Sequence, residues 1–130
     1  MTVDEALDVL AARLAAVDGL VVTTDPKATV VSHMAVVEDT SIDYNESFSP
    51  GSCLMEFAVT VYVSDADSKS GHNEARGYLS PNGAASVRAA LEDVRGDALA
   101  KAVKLSTGVR EITDNHILAV FAGSTHVPKD

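Results

Sequence analysis

The 130-residue chain predicts an α+β domain: a mainly antiparallel sheet of about five strands with helices packed on one face, in the order α-β-β-β-α-α-β-β. Three observations carry this. Val3, Leu7, Leu10, Leu14 and Val17 recur at helical spacing near the start. Met55, Phe57, Val59, Val61 and Val63 alternate with Glu56, Ala58, Thr60 and Tyr62, the period of a half-buried strand. Val103, Leu105 and Val109 alternate with Lys104, Ser106 and Arg110, and Asp114-Asn115 can turn the chain back into the apolar run Ile117 to Ala122, which makes a hairpin.

The remaining elements follow in chain order. Thr2 and Glu5 match the capping-box pattern at the first helix, with Asp4, Glu5, Asp8 and Arg13 on its other faces, and Asp18-Gly19 ends it. Leu20 to Val22 is a short apolar run, Asp25-Pro26 is a turn signal, and Thr29 to Val37 is β-branched and apolar on both sides, as in a central strand. Thr40 to Ser52 is rich in Ser, Asn, Pro and Gly and is read as a long β-hairpin loop, longer than hairpin connections usually are. Asp65-Ala66-Asp67-Ser68 is a helix start, and the helix runs to Tyr78-Leu79 through two glycines. Ser80-Pro81-Asn82-Gly83 breaks it. Val87, Ala90, Leu91 and Val94 then define an amphipathic helix over Ala84 to Val94, ending at Gly96. A chain of this length suits one domain, 1–130, with one core.

Composition narrows the function. Hydrophobic residues at 46% and charged residues at 22% are ordinary globular values. Charged residues interrupt every apolar stretch short of a membrane span, and the start Met1-Thr2-Val3-Asp4-Glu5 has no basic leader, so no membrane partner and no export are expected. The single cysteine, Cys53, cannot form an intramolecular disulfide or a cysteine metal cluster, which fits a reducing compartment. Tryptophan is absent and aromatics are 5%, too few for broad stacking platforms. A formal net charge of -9 opposes binding to a phosphate backbone, which needs surplus Lys and Arg to displace counterions.

Each candidate for chemistry has a plainer explanation. Asp65-x-Asp67-x-Lys69 resembles the opening of a calcium loop, but Ser70 stands where the turn glycine belongs and Arg76 where the bidentate glutamate belongs, so helix capping fits better. His72-x-Glu74 matches half of a zinc-deaminase signature whose Pro-Cys-x-x-Cys half a one-cysteine chain cannot supply, and a solvated helix face accounts for it. His33, His116 and His126 fall in predicted strands without metal-ligand spacing. Cys53 lies among Gly51, Ser52 and Leu54, no protease or redox signature, and reads as the residue that leads into a strand. Asn45-Glu46-Ser47 fits a glycosylation acceptor, a pattern without meaning unless the chain is exported. No Walker loop, GxGxxG or GxSxG is present. The expectation is a non-enzymatic protein without cofactor or metal.

One feature stands above this background. Between Lys27 and Lys69 there is no Lys or Arg, whereas Glu38, Asp39, Asp43, Glu46, Glu56, Asp65 and Asp67 are acidic. From charge alone the stretch is a solvated acidic hairpin that keeps the protein soluble. It also carries Ile42, Tyr44 and Phe48, apolar and aromatic residues that gain contact area when a partner covers them.

The opening helix, the strand Val30 to Val37, the loop with Ile42-Asp43-Tyr44, the strand Glu56 to Ser64, and Leu79-Ser80-Pro81-x-Gly83 followed by Ser86-Val87-Arg88-Ala89-Ala90-Leu91 together resemble tail terminator proteins of actinobacteria-infecting siphophages. The resemblance covers nearly the whole chain in order. It implies a homo-hexameric ring in the virion, assembled in the host bacterial cytoplasm, that caps the tail tube, ends its polymerisation and provides the head-joining surface. The implied partners are the chain itself, the major tail tube protein and a head-tail connector or neck protein. Genome DNA would pass through the bore without specific binding.

Six copies at -9 each would carry -54 formal charges, and acid lining the bore would let DNA slide without phosphate contacts. Asp39, Asp43 and Glu46 are the candidates for a lumen or partner-facing surface. Ile42, Tyr44 and Phe48 are the interface candidates, with local packing as the alternative for Ile42. Two other classes fit the residues: another phage neck or head-completion ring protein, and a small-molecule-binding α+β domain, which requires a deep pocket with convergent polar groups.

Overall fold

Thr2 starts the first helix as its side chain predicts. In the computed structural model, which describes residues 1–29, 31, 33–44, 50–64, 69–93, 96–113 and 116–129, the Thr2 hydroxyl accepts from the Glu5 N–H at 3.1 Å and the Glu5 carboxylate accepts from the Thr2 N–H at 3.4 Å. This reciprocal cap satisfies two amides that a helix end leaves open. Helix α1 then runs Val3–Leu14 and buries Ala6, Leu7, Leu10 and Leu14.

Five strands form one sheet in the order β1-β2-β3-β5-β4: β1 Val21–Thr23, β2 Met34–Asp43, β3 Cys53–Ser64, β4 Lys104–Ile112 and β5 His116–Val127. Helices α2 (Lys69–Leu79) and α3 (Val87–Glu92) and a 3-10 turn at Ala100–Ala102 lie between β3 and β4 in sequence. The element order and fold class are those the sequence predicts. Three of the four pairings are antiparallel, and the short β1 joins parallel to β2 over Met34–Val36.

Several boundaries move, each for a physical reason. The second strand starts at Met34 instead of Thr29, because His33 takes a left-handed backbone (φ 60) that no strand accommodates. It also runs on through Thr40–Asp43, which the sequence assigns to a loop. There the ladder to Glu56, Met55 and Leu54 continues past a β-bulge between Asp39 and Ser41. Helix α2 passes through Gly71 and Gly77, and a Cβ on Gly77 would meet the Ala85 Cβ at 3.6 Å, an ordinary contact. Helix α3 begins later than expected because Ser86 caps it, its hydroxyl accepting from the Ala89 N–H at 3.0 Å and donating to the Ser80 carbonyl at 2.6 Å. Helix α3 also ends earlier than expected, at Glu92, because Asp93 takes an extended backbone (φ -64, ψ 132). The predicted helix start at Asp65–Ser68 lies outside the described residues.

Register assigns the two faces of the sheet. Met55, Phe57, Val59, Val61 and Val63 of β3 stand beside Ile117, Ala119 and Phe121 of β5, all buried in the core under the helices. The opposite face carries Glu38, Ala58, Ala122 and Thr107 in one row, and Val36, Thr60, Val120 and Val109 in the next. Val109 is 51% exposed there. One buried polar group lacks compensation: among the described residues the Thr125 hydroxyl, at 0% exposure, has no hydrogen-bond partner. Thr125→Val keeps the shape and removes the unpaired hydroxyl, so it is expected to stabilise the fold by about 1 kcal/mol in urea titration.

Arg13 corrects the sequence assignment most sharply. It was expected on an outer face of α1, yet its side chain is 1% exposed and ties α1 to the segment before β4. Its Nε donates to Asp97 Oδ2 at 2.8 Å, one terminal nitrogen donates to Asp97 Oδ1 at 2.6 Å and to the Ala100 carbonyl at 2.8 Å, and the other donates to the Leu91 carbonyl. A guanidinium is the one side chain that can serve two carbonyls and a bidentate carboxylate at once. The hydrogen bond from Arg13 holds the Asp97 carboxyl down to about 2, against an ordinary 3.8.

Candidate functional site

The acidic hairpin is formed by the end of β2 and the start of β3, and that part of β3 is also paired with Ser124–Val127 of β5. Past the bulge, Ser41, Ile42 and Asp43 pair with Glu56, Met55 and Leu54, and Tyr44 follows. Side-chain alternation then places each candidate. Asp39 stands beside Phe57 on the helix-bearing side of the sheet but is exposed, whereas Asp43 stands beside Leu54 on the open side and is half-buried. Ile42 shares the side of Met55 and packs against the edge of the core, so part of its surface is spent on local packing. Tyr44 is 73% exposed, the largest exposure among the large hydrophobic side chains described. Phe48 and Glu46 lie outside the described residues. The structure thus places Asp39, Ile42, Asp43 and Tyr44 along the end of β2, with Asp39 and Asp43 on opposite sides of the sheet.

A second feature was not legible in the sequence. An open trough of about 900 Å³ lies between the α1–β1 turn at Asp18-Gly19 and the outer surface of α2, where Lys69, Asn73 and Gly77 line it. At its wall His33 Nε2 and Glu74 Oε2 meet at 2.6 Å. His33 is therefore not a strand residue, as its neighbours in sequence imply. It sits at the left-handed step before β2 and reaches across to α2. Glu74, predicted to face solvent on a helix surface, is the partner. Tyr78 closes the floor, and its phenol is pushed above its ordinary range by burial first and by the Glu74 carboxylate second. Both members of the His33–Glu74 pair are more than a third exposed, and the trough is open to solvent along its length. Such a pair fastens α2 to the start of β2 at the wall of the trough.

The other chemical candidates stay apart. His116 and His126 lie on β5, as predicted, and the His116 ring meets Tyr62 edge-on at a centroid distance of 6.1 Å. Cys53 is buried as the first residue of β3. Among the described residues, no three His, Cys, Asp or Glu side chains come together as a metal site would need. No helix among them is long and apolar enough to cross a membrane. The Asp65–Lys69 acidic motif falls largely outside the described residues.

Fold and site together define an α+β sheet protein whose helices cover one face and whose described surface includes an acidic hairpin region with an exposed tyrosine. Comparison with protein-family models and with curated proteins finds no match for this chain.

Proposed function

We propose that this chain is a structural subunit of a phage tail terminator ring, which caps the tail tube, ends its polymerisation and offers the surface that joins the head. The observation that carries this reading is an aromatic side chain left uncovered: Tyr44, directly after the acid-bearing end of β2, is 73% exposed. An exposed aromatic beside a sheet is a favourable anchor, since burying it against a partner gains contact area for little side-chain ordering. The chain-long resemblance described above supplies the biological setting.

In the ring, Tyr44 and Phe48 contact a neighbouring subunit or the tail tube protein, and the neck protein meets the other side. Asp43 and Glu46 present negative charge to the bore, so that DNA passes without being held by its phosphates, and Asp39, on the other side of the sheet, faces a partner. No step of this role requires catalysis, a cofactor or a metal. Ring closure through one repeated heterologous contact uses the same surfaces on every copy and leaves no open subunit.

The test is tail assembly with Tyr44→Ala/Phe48→Ala. Over-long tails and headless particles, seen by electron microscopy, are the expected result, with the purified variant retaining wild-type circular dichroism. Tails of normal length joined to heads overturn the role of these two aromatics. Normal-length tails that fail to find heads, after removal of the whole chain, would instead assign it to the neck.

A further inference from the structure

A hollow of about 280 Å³ opens at the β4 side of the molecule, where the end of α2, helix α3 and β4 meet. Its lining passes from apolar to polar outward: Phe121 is buried, Leu79 and Leu105 are half-buried, and the Arg88 side chain is 54% exposed. Gly108 keeps it open. Its pairing with Phe121 puts it on the helix-bearing side of the sheet, and a Cβ there would stand 3.0 Å from Leu79 Cδ2 and 3.2 Å from the Phe121 ring, closer than ordinary packing. The β-bulge between Leu105 and Thr107 bends the strand at the same place.

Size and chemistry select the occupant. Sites for small-molecule ligands run to about 300–1,000 Å³, so this hollow lies at their lower limit and has room for a single ring. Arg88 is fixed beside it: its Nε donates to Glu92 Oε2 at 3.1 Å, and the same oxygen accepts from the Leu105 N–H at 3.1 Å. The terminal guanidinium nitrogens make no hydrogen bond among the described residues. A held guanidinium next to leucine side chains suits a tyrosine, whose ring packs on the leucines and under the cation while its phenol oxygen accepts from a guanidinium N–H.

The chain itself presents such a group. Tyr44 is 73% exposed, so it does not fill the hollow of its own copy. It follows a strand end whose Asp39 is exposed, within a stretch that has no Lys or Arg between Lys27 and Lys69. The hollow has the opposite sign at its border, with Arg88 at one side and exposed Arg110 two residues beyond Gly108 on the same side of the sheet. Donor and receiver are different surfaces, the end of β2 and the β4 side of a sheet ordered β1-β2-β3-β5-β4. A contact between them is heterologous, and it repeats from copy to copy until a ring closes.

We propose that Tyr44 of one copy inserts into the hollow of the next, its ring against Leu79 and Leu105 and its phenol at Arg88, with the acidic hairpin facing Arg88 and Arg110. This names the contact between neighbours in the proposed ring and rests on that reading for its setting.

The experiment uses the full chain in concentrated solution. In sedimentation equilibrium Tyr44→Ala is expected to weaken self-association by about tenfold or more, and Arg88→Ala by about threefold through loss of the cation–ring contact, with circular dichroism unchanged in both. A Tyr44→Ala chain that associates as wild type does would overturn the proposal. Replacing Tyr44 with p-azidophenylalanine keeps the ring and makes it photoreactive. Irradiating this variant mixed with ¹⁵N-labelled wild type is expected to join it to residues 105–108 or to Leu79 of the labelled chain, as read by mass spectrometry. Adducts confined to other residues or to a single chain would overturn the proposal, as would a wild-type chain that stays monomeric and gives no adduct. The expected adduct together with normal tails in the assembly test above would retain the contact and remove the tail-capping role. Over-long tails without the adduct would do the reverse.

Discussion

Replacing Asp97 with alanine is expected to destabilise the protein by roughly 3–5 kcal/mol, the cost of leaving a buried guanidinium without its counter-charge. Arg13 is 1% exposed and cannot turn to solvent without giving up the Leu91 and Ala100 carbonyls. Since a domain of this size is stable by about 5–15 kcal/mol, the loss would take a large part of the total and lower Tm by roughly 10–20 °C. The acid limb adds a separate check. The Asp97 carboxyl is held at about 2 instead of 3.8, so its stabilisation is complete above 3.8 and is lost as pH falls through about 2. That difference amounts to roughly 2 kcal/mol. Wild type should lose stability between these limits and the alanine variant should lose less there, as measured by urea unfolding at a series of pH values. A variant within 1 kcal/mol of wild type at neutral pH would mean that Arg13 finds other partners.

Gly123→Ala is expected to cost about 3 kcal/mol by overpacking. A Cβ at this position would lie 2.7 Å from the Lys104 carbonyl oxygen, 2.8 Å from Leu105 Cδ2 and 2.8 Å from Phe57 Cζ. Leu105 can yield, but the carbonyl belongs to the β4 backbone and Phe57 is buried in the core. Phe57 stands opposite Gly123 across the β3–β5 pair, so its ring covers the space a side chain would need. The β4 bulge between Leu105 and Thr107 begins where this space runs out. Displacing β4 should therefore be the first response. Amide exchange over β4 is expected to speed up more than over β3, and denaturant titration gives the magnitude. Unchanged exchange in β4 would show that the clash is absorbed elsewhere.

How far the fold could be read depended on where the information lies. The alternation over Met55 to Val63 marks a strand because β3 buries one face along its length, and the Thr2–Glu5 cap is local chemistry. Arg13 was misplaced because its partner lies 84 residues away, and nothing in a helical pattern distinguishes a buried arginine from a solvated one. The left-handed turn at His33 has no local signal, since histidine does not require it, and with it the His33–Glu74 contact was lost. A Pro-Gly or Asn-Gly step would have been visible. Thr40–Asp43 reads as loop because three of its four residues are polar, yet at a sheet edge polar residues are what a strand carries. Of the candidate hairpin, Tyr44 and the acids were chosen from composition, while the sides on which Asp39 and Asp43 sit follow from a bulge that no sequence pattern announces.

The place of β5 in the sheet has a further consequence, for synthesis. This strand is the latest of the five in the chain, yet it lies between β3 and β4 and pairs with both along most of its length. A chain leaving the ribosome in order therefore presents β3 with one edge unfilled, and β4 with no neighbour, until residues 116–127 have emerged. Pairings across such sequence separations form slowly, and the β3 edge, rich in valine, is the segment most in need of protection during that interval. The order of elements thus makes completion of the sheet a late, single event, so a nascent chain has its pairing edges before it has its fold.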